Sequence, residues 1–77
     1  MNTPEGMEQA FIDAMAYTYS LQKNIPDAGE AERTGVFARN AIRDVMTNMG
    51  FDMVRIDTIS GKALAQATKL GWRETDQ

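Results

Sequence analysis

Helix breakers punctuate this chain at only a few places. Its two prolines stand at positions 4 and 26, and glycines at 50 and 71 close two later runs. The first run opens at Thr3-Pro4-Glu5. Thr3 can cap, Pro4 suits the first helical position because its missing amide hydrogen is not needed there, and Glu5 meets the positive end of the helix dipole. It is predicted helical over 4–23. Asn24-Ile25-Pro26 ends it, since proline lacks a donor and disfavours helix in the residue before it. Asp27-Ala28-Gly29-Glu30 has the pattern of a capping box, with Asp27 accepting from the first turn and Glu30 reaching back. The helix it opens should span 28–49. Gly50 can then take the left-handed conformation, with Phe51 folding back onto the last turn. Asp52 can cap a third helix over 53–70, which Gly71 stops.

The third run has a competing reading. Val54, Ile56, Thr58 and Ile59 are β-branched and would suit a short strand over 53–59, giving an α+β chain. A helix places Met53, Ile56, Ile59, Ser60, Ala63, Leu64, Ala67 and Leu70 on one face, and that phase continues past Gly61, so the helix is preferred. The expected fold is therefore all-α: a single three-helix domain over residues 1–77.

A chain of 77 residues buries a modest core, and small domains usually add a staple. This one has no cysteine and no histidine. Disulfides, thiolate metal sites, the commonest metal ligand and the commonest general base are thereby excluded. What remains is good helix packing or self-association. Lys and Arg number 8 against 11 Asp and Glu, a net charge of −3, which weighs against non-specific binding to nucleic acid or an anionic membrane. With no transmembrane-length apolar run and no basic-then-apolar leader, a cytoplasmic chain is expected.

Motifs that carry chemistry are few. Ser60-Gly61-Lys62 matches the end of a phosphate loop, but the upstream glycine and the preceding strand are missing. Glu5/Glu8 and Asp27/Glu30 are close carboxylate pairs, and their place at helix starts already explains them. A helix-turn-helix built on Ala63–Gly71 fails because only Trp72–Gln77 follow, too few residues for a recognition helix. No enzyme, metal or cofactor is expected. The six methionines read as flexible core filler.

The helix faces carry more information. On the second helix Ala31, Thr34, Gly35, Ala38, Ala41, Ile42, Val45, Met46 and Met49 form one stripe, whose small residues suit close approach; it is expected to be the central packing surface. The apolar positions of the first helix cover about 220°, roughly twice what one buried face needs. Met7, Phe11, Ala14 and Leu21 are expected to meet the other helices. Ile12, Met15 and Tyr19 would then face water as a self-association patch, unless the helix lies in a groove between the other two. Arg39 and Arg43 lie one turn apart with no acidic residue at i±3 or i±4. They read as a solvated face, as a face paired with an acidic residue of another helix, or as a contact to an acidic partner, with Val36 beside them. Trp72 is either a lid on the bundle end or an interface anchor. The function expected is binding of a protein partner, as a small regulator or inhibitor (phage-borne inhibitors are of this kind), by a chain that forms a homodimer or higher oligomer. The alternative is a nucleic-acid-binding regulator using Arg39, Arg43 and Arg55.

Overall fold

A computed structural model of the chain describes residues 4–72, and in it the three runs are helices: α1 (Pro4–Lys23), α2 (Ala28–Asn48) and α3 (Met53–Lys69). No strand occurs among the described residues. The expected start of α1 holds at Pro4, while Thr3 lies outside the described residues. The ends of α2 and α3 fall one residue short of expectation, within the usual fraying of helix termini.

Each boundary has a local cause. Asp27 Oδ2 accepts from the Glu30 amide at 2.8 Å, and Asp52 Oδ1 from the Arg55 amide at 2.8 Å, each satisfying one orphan donor of the first turn. Glu30 makes no return bond to Asp27, so the box is only half formed. Replacing Asp27 with Ala should cost about 1 kcal/mol; an unchanged midpoint in urea would show that the cap is not used. At the other ends, Gly50 and Gly71 take φ of 95° and 108°. The next amides reach back to the last turn, Phe51 N–H to Met46 O and Trp72 N–H to Ala67 O, both at 3.0 Å. These are Schellman closures, and the residue after the glycine is aromatic in both.

In α3 the helix prevails over the β-branched run. Ile56, Ile59, Ala63 and Ala67 are all buried, which only a helical period achieves along one face. The hydroxyls of Thr58 and Ser60 bond back to the carbonyls of Val54 and Ile56, at 3.0 and 2.9 Å, an arrangement available inside a helix. Ser60-Gly61-Lys62 is therefore helical and forms no loop.

The packing differs from expectation in two respects. First, α1 is the central helix. It packs against both α2 and α3, whereas α2 and α3 meet only sparingly. Ala31, Gly35 and Met46 of the α2 stripe are buried, but Thr34, Ala41, Val45 and Met49 face solvent. Second, the arcs of α1 are exchanged in part, although Phe11 packs against the core as expected. Ile12 and Met15 belong to the core, with Met46, Ile56, Ile59 and Ala63, and Tyr19 is half-buried. They are not a water-facing patch. Ala14 and Leu21, expected inside, are exposed together with Tyr17. Polar neighbours explain the choice. Thr18 and Gln22 are buried on the same side as Met15, and their bonding partners lie on α1 and α2.

Ion pairs and amides tie α1 to α3 along its other edge. Glu8 meets Lys62 at 3.0 Å and Arg55 at 3.5 Å, and the Lys62 hydrogen bond holds its carboxyl below the usual range. Gln66 and Gln9 donate to Asp13 and depress its carboxyl likewise.

Candidate functional site

Because α2 and α3 diverge while α1 lies across both, a groove opens between them with α1 as its floor. A cavity of about 320 Å³ occupies it. Met15 and Tyr19 of α1 form the floor, Val36, Arg39, Asn40 and Arg43 the α2 wall, and Ser60 stands opposite on α3. The lining contains two guanidinium groups and no carboxylate.

Arg39 lies over the floor. Its Nη1 donates to Gln22 Oε1 at 2.6 Å and to Thr18 Oγ1 at 3.0 Å. Its Cζ is 4.1 Å from the Tyr19 ring centroid, a cation–π distance. Both hydrogen-bond partners are neutral, and Arg39 forms no ion pair among the described residues. Burial pushes its pKa down and Tyr19 pushes it back up, yet a guanidinium stays charged at neutral pH. The result is a half-buried positive charge held by neutral acceptors.

Arg43 is arranged differently. Its Nη1 donates to Ser60 Oγ at 2.7 Å and its Nη2 to Asp57 Oδ1 at 2.8 Å, so it bridges α2 to α3. Its acidic partner lies on another helix, where spacing along α2 could not reveal it. Val36 is 41% exposed on the rim, beside the arginines as expected.

Trp72 closes the end of the bundle. Its ring packs on Tyr19 at 4.6 Å between centroids, so Arg39, Tyr19 and Trp72 form one contiguous cluster. The Trp72 indole nitrogen is buried, with no hydrogen-bond partner among the described residues. The sequence placed Tyr19 in a self-association patch, and its position in this cluster was not indicated. It links the arginine to the tryptophan, and the only available signal was its place one turn from Met15.

Of the three arginines singled out by sequence, two meet at the groove. Arg55 pairs with Glu8 and lies 4.7 Å over the Phe51 ring, so it does not line the groove that Arg39 and Arg43 share. Among the described residues no cluster of acidic side chains could hold a metal ion, and no helix is long and apolar enough to cross a membrane. Comparison of the chain with protein-family models, curated proteins and solved structures returned no match.

Proposed function

We propose that the chain is a non-enzymatic protein-interaction domain, a small regulator or inhibitor, that binds an acidic surface of a protein partner through the α2–α3 groove, and that it also self-associates. The observation that carries the reading is Arg39: a half-buried guanidinium without an ion pair among the described residues, beside a cavity whose lining has no carboxylate. Keeping a cation partly out of water costs free energy that neutral acceptors offset only in part. A carboxylate entering the groove would supply a charge-assisted bond, roughly twice as strong as a neutral one. Val36 offers apolar contact on the rim, and Arg and Tyr are residue types that dominate binding hot spots.

The tagged chain, used to capture its partner from the native cell, provides the test. Changing Arg39 and Arg43 together to Ala should weaken capture by at least about tenfold, the effect of losing one strong contact residue. Arg39→Ala also strands Gln22 and Thr18, so Val36→Glu is the companion variant. Its site is exposed, the helical circular dichroism should persist, and the added carboxylate should repel an acidic partner. Full capture by Val36→Glu would remove the groove from the contact.

A further inference from the structure

Two arginines line the α2–α3 groove, and their charges are not equally available. Arg43 donates from Nη1 to Ser60 Oγ at 2.7 Å, and from Nη2 to Asp57 Oδ1 at 2.8 Å and Met53 Sδ at 3.6 Å. Both ends of its fork are taken, and Asp57 matches its charge. Arg39 uses Nη1 alone, whose two hydrogens go to Gln22 and Thr18. Its Nε and Nη2 donate to nothing among the described residues. Those two nitrogens form an edge that a carboxylate can meet with two parallel bonds. The Tyr19 ring lies against the face of the same group, so the fork is held in place before any ligand arrives. With Asp57 counted, the groove carries one surplus positive charge. The rest of its lining is mixed. Met15, Tyr19 and Val36 offer apolar contact, and Asn40 offers an amide that has no side-chain partner among the described residues. The cavity of about 320 Å³ is at the small end of ligand sites, roughly 300–1,000 Å³. It has room for side chains and not for a helix.

We infer that the groove recognises one carboxylate set beside an apolar side chain: a single Glu or Asp, next to an aliphatic residue, on an extended segment of the partner. Arg39 is the anchor, and Arg43 is a strut between α2 and α3. The inference rests on the reading that the groove meets an acidic partner, and it names the group that enters. The charge count selects that group. One carboxylate matches a surplus of one. A phosphate group carries about two negative charges at neutral pH, and the second would be left unmatched beside Asp57, in a chain whose net charge is already −3. A wholly apolar segment would cover the free edge of Arg39 and leave its donors unpaired, which costs free energy. A carboxylate bonded to that edge, with its aliphatic neighbour on Met15 and Val36, satisfies both halves of the lining.

Proton–nitrogen NMR of the intact chain, read at the side-chain Nε–H of Arg39 and Arg43, tests this with three capped pentapeptides. Each carries two leucines around a central residue, which is glutamate, glutamine or phosphoserine. The glutamate peptide should move the Arg39 resonance and saturate at about millimolar concentration, as suits so small a contact. The glutamine and phosphoserine peptides should each bind at least about tenfold more weakly, the effect of one hydrogen bond between charged groups. Arg39→Lys keeps the positive charge and loses the two-bond edge, so it should weaken the glutamate peptide by a similar factor. Asp57→Asn changes an exposed position and raises the surplus to two, so it should tighten the phosphoserine peptide more than the glutamate one. Equal binding of the glutamine peptide overturns recognition of a carboxylate. Tighter binding of the phosphoserine peptide to the parent chain overturns the charge count. If no peptide moves the Arg39 resonance, the inference falls, whereas the wider reading of the groove falls only if Val36→Glu captures the partner in full.

Discussion

Ile59→Ala is expected to lower the free energy of unfolding by about 3 kcal/mol, within the range of roughly 2–5 kcal/mol for emptying a buried isoleucine site. Ile59 is fully buried in the cluster formed with Ile12, Met15, Met46, Ile56 and Ala63, and through it α3 is fastened to the central helix. Two effects set the size. Removing the side chain loses its transfer free energy and leaves a cavity, and Met15 and Met46 have the torsional freedom to fill part of it. That freedom places the expectation below the top of the range. The loss is large against the whole. A domain is stabilised by about 0.05–0.15 kcal/mol per residue, or roughly 4–12 kcal/mol for a chain of this length, and no disulfide supports this one. The midpoint of thermal unfolding should fall by about 12–24 °C. Leu64→Ala, on the same helix but 42% exposed, should cost under about 1 kcal/mol. Equal costs for the two would mean that α3 does not dock through Ile59.

Helix number and limits were legible in the sequence because they depend on local chemistry. Pro4, Asp27, Gly50, Asp52 and Gly71 each act on amides or carbonyls within a few residues, and a chain shows those relations directly. The preference for helix over strand at Met53–Ile59 was also legible, because Ile56, Ile59, Ala63 and Ala67 had to be counted together beyond the β-branched run. The inward face of α1 was not legible. Both of its arcs are apolar, so hydrophobicity could not rank them. The deciding residues were Thr18 and Gln22, which ordinarily count as surface types and are buried here because Arg39 of α2 bonds both. A polar contact between helices leaves no periodic trace in either one. The same limit applied at the groove. Lack of an acid near Arg39 and Arg43 along α2 singled them out, but Asp57 on α3 distinguishes the two, and that pairing exists only once α2 and α3 are folded over α1.

Gly35→Val is the second large expected effect and tests that α1–α2 contact directly. Gly35 is buried where α1 crosses α2, and a Cβ built on it would overlap Oε1, Cδ and Cγ of Gln22. On propensity alone, replacing a helical glycine by alanine gains about 1 kcal/mol, with less to gain from a β-branched residue. Sterics work in the opposite direction. Because Cγ as well as the amide tip is in the way, Gln22 cannot escape by turning its end and must change its first torsion. It then gives up the 2.6 Å bond to Arg39, a hydrogen bond to a charged group of about 1.5–3 kcal/mol. Overpacking adds roughly 1–3 kcal/mol. The net loss should be about 3 kcal/mol for Gly35→Val and smaller for Gly35→Ala, where propensity offsets part of it. Chemical denaturation of Gly35→Ala, Gln22→Ala and the double variant separates the terms. If the clash is with Gln22, the double variant should be more stable than the sum of the single losses implies. Simple additivity, or a Gly35→Val variant as stable as the parent, would mean that Gln22 does not occupy the space beside Gly35, and the anchoring of Arg39 in the groove would fall with it.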